Sequence, residues 1–214
     1  MFQRFFLPLT LTLAVALTAA AAMVNPQTGE EIRSPANREG GEHRHGHGYM
    51  EMELEGAMLE IALQVPAADL MGFGHRPRSE EQFKTAISAI SLLRNSDRMF
   101  TLTDTAQCAS SETDVAIVEL PSGEVMGDEV WVREGADLPE VVDDADEPPG
   151  HAEVVVNYRF DCGDVPALYG VTVHYFETFP SAETLAAVIK TPHGEFEKTL
   201  DQYETVVRDV HQAP

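Results

Sequence analysis

The chain has 214 residues, with 36 Asp or Glu against 14 Lys or Arg, and a formal net charge of −22 at pH 7. Such an acidic surface repels nucleic acid and anionic lipid, so we expect no nucleic-acid partner and no stable membrane insertion. It attracts cations in general, but solubility in a saline habitat explains the same charge, so acidity alone is weak evidence of function. The length suits a single domain with a sizeable core.

Residues 1–22 have the pattern of a secretory signal peptide. Arg4 is their only charge, and residues 5–17 form an apolar stretch, shorter than the roughly 20 residues that span a membrane. A retained N-terminal anchor is the alternative. We predict an exported protein with a flexible, histidine-containing leader over 23–46. A single α+β domain then follows over 47–214, with an acidic insertion at 121–150.

Periodicity predicts the elements of this domain. Alternating residues indicate a hairpin with a turn at Gly56, and a capping box of Ser79 and Gln82 begins an amphipathic helix over 80–94. The predicted strands are 49–55, 59–65, 114–120, 153–162, 170–179 and 195–200, with a turn at 191–194. Residues 185–189 fit either period, and the tail after Tyr203 is predicted to be a short helix. The fold class is therefore α+β, an antiparallel sheet of hairpins packed on one long amphipathic helix.

Two features stand outside this pattern of elements. Cys108 and Cys162 are the only cysteines, and in an oxidising compartment such a pair is expected to form a disulfide. Their use as thiolate metal ligands is the alternative, which is disfavoured because exported thiols oxidise. The insertion at 121–150 is rich in Asp, Glu, Pro and Gly; it could bind hard cations loosely, or it could be a solvated loop.

The histidines are the residues most able to carry chemistry. His43, His45 and His47 alternate, and alternate side chains of an extended segment point the same way, about 6–7 Å apart, so two imidazoles could close on one zinc ion. A polar leader with no task is the other interpretation. His75 and His151 lie at edges of predicted elements, from which they could join such a site. Signatures of zinc hydrolases, serine hydrolases, phosphate loops and haem attachment are missing, so we expect no enzyme.

A set of short segments, taken in chain order, carries a resemblance to a known family: 45–48 (HGHG), 59–63 (LEIAL), 66–77 (PAADLMGFGHRP), Cys108, 151–154 (HAEV), 158–162 (YRFDC), 175–180 (YFETFP) and 191–194 (TPHG). Through these segments the mature chain resembles the ZrgA-like family of periplasmic zinc-binding proteins, which are associated with zinc uptake in Gram-negative bacteria.

The resemblance implies a periplasmic accessory protein that captures or buffers zinc for an uptake system, with a zinc ABC transporter or its binding protein as partner. It implies a Cys108–Cys162 bridge and zinc ligands His47, His75 and His151, followed by His43 and His45. Members of that family typically carry a histidine-rich central insertion, whereas residues 121–150 here lack histidine. This departure argues against zinc buffering by the loop. A metal-independent periplasmic interaction module is the alternative function, and a metallohydrolase is a less favoured third.

Overall fold

The protein is mainly β-sheet with short helices. The computed structural model describes residues 23–24, 31–32, 44–120, 124–127 and 151–210, so the predicted signal peptide, His43 and most of the acidic insertion lie outside the described residues. The strands are β1 Met23–Val24, β2 Glu31–Ile32, β3 His47–Glu55, β4 Met58–Pro66, β5 Phe100–Leu102, β6 Cys108–Leu120, β7 Glu124–Gly127, β8 His151–Cys162, β9 Gly170–Val173, β10 Thr184–Thr191, β11 Gly194–Asp201 and β12 Val206–Arg208. The helices are α1 Ala67–Met71, α2 Glu80–Arg94, α3 Ser96–Met99 and α4 Tyr175–Thr178, with 3₁₀ turns at Asp104–Ala106 and Val165–Ala167.

A seven-stranded sheet has the order β11-β10-β3-β4-β8-β6-β7, and a three-stranded sheet has the order β12-β9-β5. The pairs are antiparallel except that β10 runs parallel to β3, with Thr184 opposite His47. The larger sheet is therefore mixed rather than built only of hairpins. Local periodicity could not indicate this, because a parallel pair joins segments that a long crossover separates in the chain.

One face of the larger sheet forms the hydrophobic core. Met50 and Met52 of β3, as the alternation predicts, are fully buried, and so are the inward residues of β4 and β8. Helix α2 adds Ala86, Ala89, Ile90 and Leu93 to this core. The buried Tyr158 hydroxyl of β8 donates a 2.7 Å hydrogen bond to the carbonyl oxygen of Leu93, which ties the helix to the sheet.

Helix α2 has the predicted bounds, but its N-terminal capping and its buried face differ in part from the prediction. The Ser79 hydroxyl accepts the amide N–H of Gln82, whereas the Gln82 side chain accepts the N–H of Arg78 instead of that of Ser79. Within this predicted amphipathic helix, Ile87 is 38% exposed. With 15 residues, the helix is a modest part of a mainly β structure, so the fold is not organised around one long amphipathic helix.

Other elements also differ from those predicted, in part because their pairing partners are distant in sequence. The strand predicted over 170–179 ends at Val173, and helix α4 follows. The tail predicted as helical contains β12, which pairs with β9. The ambiguous segment 185–189 lies in β10, and within the acidic insertion Glu124–Gly127 forms β7 against β6.

A Cys108–Cys162 disulfide joins β6 to β8, which confirms the predicted bridge. Because both sulfurs are in this bond, neither serves as a thiolate metal ligand. Among the helices that the structure describes, none combines the length and the apolar character needed to cross a membrane.

Candidate metal site

Four segments meet at one end of the larger sheet. Strand β4 runs antiparallel to both β3 and β8, and its last residue, Pro66, lies opposite Glu153 near the beginning of β8. Strand β10 begins beside the beginning of β3. The residues before β3, helix α1 after β4, the beginning of β8 and the residues before β10 therefore lie near one another, although they are far apart in the sequence.

Gly46 connects three of these segments. Its N–H donates to Asp69 Oδ2 of α1 at 2.8 Å, and its carbonyl oxygen accepts the N–H groups of Glu183 and Thr184 at 2.7 and 2.9 Å. Its φ of +80° favours glycine, and a Cβ there would lie 2.8 Å from Cγ of Glu183. The turn that contains Gly46 thus holds the end of the predicted leader against the domain.

His45 faces the carboxylate of Asp69. Its Nδ1 lies 3.7 Å from Asp69 Oδ1, and the aspartate side chain is only 5% exposed. Two ligand atoms of a tetrahedral zinc ion are about 3.4 Å apart, given zinc–ligand distances of about 2.0–2.2 Å. This pair is therefore spaced almost as two ligands of one ion would be.

His151 lies near His45. Their ring centroids are 6.2 Å apart, against about 5 Å for two imidazoles on one tetrahedral zinc ion. A cleft of about 80 Å³ separates the segments that carry them; its lining residues are Arg44, His45, Pro66, Ala68, Gly74, His151 and Ala152. Both rings are exposed to solvent.

His47 lies near the same charged side chains, but its ring nitrogens face residues other than Asp69. Its Nδ1 lies 2.7 Å from Thr184 Oγ1, and its Nε2 lies 3.7 Å from Glu183 Oε2. The rule of alternation does not apply across residues 45–47, because His45 and Gly46 form a turn and only His47 is in the strand. The two histidines therefore face different carboxylates.

We refer to His45, His47, His151, Asp69 and Glu183 as the cluster. Asp69 is its most buried charged group. Burial raises the pKa of its carboxyl group, whereas the Gly46 N–H and the nearby His45 and His47 lower it, and the negative charge of Glu183 raises it further. A buried carboxylate in this position would be stabilised by a bound cation. Asp69 is therefore a candidate zinc ligand on the buried side of the cluster.

The other predicted ligands are less well placed or undescribed. The Nδ1–H of His75 donates to the carbonyl oxygen of Arg76 at 2.8 Å, and its ring packs on Phe73 at 5.4 Å. Its neighbour Gly74 lines the cleft, so His75 lies close to it, while His43 is outside the described residues.

Within the described ranges, no three His, Cys, Asp or Glu side chains are already close enough together to hold a metal ion. The cluster instead contains pairs of such side chains at nearly the right spacing. Asp69 and Glu183 were not predicted as ligands, because single carboxylates carry little information in a chain with 36 acidic residues. Only the pairing of β3 with β4 and β10 reveals them.

Residues 42–208 match the family model described as ZrgA family zinc uptake protein. A comparison with curated proteins gives no match. The matched range includes His45, His47, Asp69, His75, His151 and Glu183.

Proposed function

Because the chain belongs to the ZrgA family of zinc uptake proteins, we propose that it is a periplasmic zinc-binding accessory protein that captures or buffers zinc for an uptake system. The ion is its cargo, and we assign it no catalytic role. The proposed ligands come from His45, His47, His151 and Asp69.

The observation that carries this proposal is the position of the buried Asp69 carboxylate beside His45. A side chain that is 5% exposed holds a carboxylate 3.7 Å from His45 Nδ1, and its pKa responds to both His45 and His47. Imidazole nitrogen and carboxylate oxygen are common zinc ligands, and both classes are present here within a few ångströms.

The disulfide and the acidic surface support the proposed setting. A disulfide between Cys108 and Cys162 is typical of proteins that fold in oxidising compartments such as the periplasm, the destination expected from the signal-like N-terminal pattern. A formal charge of −22 raises the local concentration of cations near the site. The proposed partner is a zinc ABC transporter or its binding protein, which would receive the ion.

Titration calorimetry of the untagged, chelator-stripped protein at pH 7 tests the proposal. We expect stoichiometric zinc binding that weakens at acidic pH, since protonated imidazole does not bind metal. The triple variant His45→Ala, His47→Ala, His151→Ala should weaken binding roughly 100-fold or more.

The matched control replaces His174 and His193, which lie outside the cluster, by alanine and should bind zinc as the parent does. Parent affinity no tighter than millimolar would contradict the proposal. Equal losses in the triple variant and the control would also contradict it, because the effect would then not depend on the cluster.

A further inference from the structure

The residue before β10 and the first residue of β10 lie beside His47, and neither was predicted from the sequence to have a functional role. Thr184 lies opposite His47 in the parallel pair of strands, and its hydroxyl is 2.7 Å from Nδ1 of the imidazole. Glu183 places a carboxylate oxygen 3.7 Å from the other ring nitrogen, Nε2. Both nitrogens of His47 are therefore faced by side chains of one short segment.

The His47–Glu183 pair has nearly the spacing of two ligands around zinc, which is about 3.4 Å between ligand atoms. The side chain of Glu183 is 71% exposed and that of His47 is 30% exposed, so an ion can reach this pair from solvent. Glu183 also packs over the Cα of Gly46, whose N–H donates to Asp69. The solvent-facing pair and the buried Asp69 are therefore adjacent.

A threonine is well suited to hold this imidazole. When Nε2 of a neutral histidine binds a metal ion, the remaining proton is on Nδ1 and needs an acceptor. A hydroxyl group can accept that proton, and in the metal-free protein it can donate to Nδ1 instead. Thr184 therefore keeps the ring in the same orientation in both states.

We propose that Glu183 and Thr184 complete the zinc site around His47. Glu183 is one of the four ligands of the tetrahedral ion, on the solvent side of the cluster, and Thr184 is a positioning residue that directs Nε2 of His47 to the ion. This inference rests on the proposed function, since it assigns two further residues to the same site.

A second group in the protein offers a matched control. His174 has Nε2 2.8 Å from Thr101 Oγ1 and Nδ1 3.6 Å from Glu177 Oε2, and the glutamate is 79% exposed. The local geometry resembles that around His47, but only the His47 group adjoins Asp69 and His45. Changes at Glu177 and Thr101 therefore reproduce the loss of charge or hydroxyl without touching the cluster.

The experiment measures zinc affinity of the full exported chain by competition with a chromophoric chelator. Glu183→Gln and Thr184→Val should each weaken binding about 10-fold or more, as is typical for loss of a group that supports a metal ligand. Thr184→Ser should restore the affinity, because it keeps the hydroxyl. Glu177→Gln and Thr101→Val should bind as the parent does.

Long-range nitrogen–proton NMR of the histidine rings gives a readout that a general loss of structure would not reproduce. Zinc should move the His47 proton to Nδ1 and shift Nε2 as a metal-bound nitrogen, and Thr184→Val should reduce this change. If the parent binds zinc while Glu183→Gln and Thr184→Val keep its affinity, this inference fails and the proposed function stands. If the parent does not bind zinc, the proposed function fails first.

Discussion

The N–H of Gly46 donates a 2.8 Å hydrogen bond to the carboxylate of Asp69, a residue 23 positions later in the chain. This bond places the turn before β3 on helix α1 and brings His45 to the carboxylate. The backbone of one glycine therefore determines where two candidate ligands meet.

Gly46→Ala should lower the zinc affinity beyond what its loss of unfolding free energy explains. Alanine at φ +80° is strained by about 1–2 kcal/mol, and its Cβ would force the exposed Glu183 side chain away from His47. Gly72→Ala is the control, because Gly72 has φ +81° but no atom within 4 Å of the position that a Cβ would take. Urea denaturation should show similar losses of unfolding free energy in the two variants, and zinc titration should show a loss of affinity only in Gly46→Ala. Equal affinities would contradict the role given to Glu183.

Asp69→Asn should stabilise the metal-free protein at pH 7 while it weakens zinc binding. The pKa of Asp69 is raised above 3.8, chiefly by burial, so the folded state holds this proton more tightly than the unfolded chain does. The contribution of this group to the unfolding free energy therefore falls as the pH rises through the raised pKa. Asparagine keeps an acceptor for the Gly46 N–H and has no charge to bury.

Thermal melts of both proteins, with zinc and with chelator, check this prediction. The variant should melt higher than the parent with chelator at pH 7, and the difference should shrink towards pH 3, where the parent carboxyl group is also protonated. Zinc at 100 times its dissociation constant should stabilise the parent by about 2.7 kcal/mol and the variant by less. A lower melting temperature of the metal-free variant would show that the charge of Asp69 is better solvated than its burial indicates.

The sequence predicted the parts of this site that depend on local pattern. Alternation identified the β3–β4 hairpin and the inward side of β8, whereas the resemblance implied His47, His75 and His151 as zinc ligands, which stays a prediction. The sequence could not predict that His45 turns away from strand β3, because this turn depends on the positive φ of Gly46 and on the hydrogen bond from the Gly46 N–H to Asp69. Nor could it identify Glu183, which reaches His47 through the parallel pairing of β10 with β3.

Tyr158→Phe should destabilise the protein by about 1 kcal/mol and leave zinc affinity unchanged. The buried hydroxyl donates to the Leu93 carbonyl oxygen at 2.7 Å, so its loss leaves a buried acceptor with one partner fewer. Tyr203→Phe removes a hydroxyl from a side chain that is 87% exposed and should have no measurable effect. Urea denaturation distinguishes the two variants, and equal stabilities would mean that the Tyr158–Leu93 bond contributes little to the packing of α2 on the sheet.

Replacing both Cys108 and Cys162 by serine should lower the unfolding free energy by about 4 kcal/mol, which is the chain-entropy value for a loop of this length. Zinc affinity of the folded variant should nevertheless match that of the parent. Strand β8 begins at His151 and ends at Cys162, so the disulfide and His151 lie at its two ends. Eleven residues of strand span about 36 Å. Zinc titration at low temperature without denaturant measures this affinity, once circular dichroism has shown that the variant is folded under these conditions. A weaker affinity there would show that the bridge helps to hold the cluster together, and an unchanged stability would contradict its role in the fold.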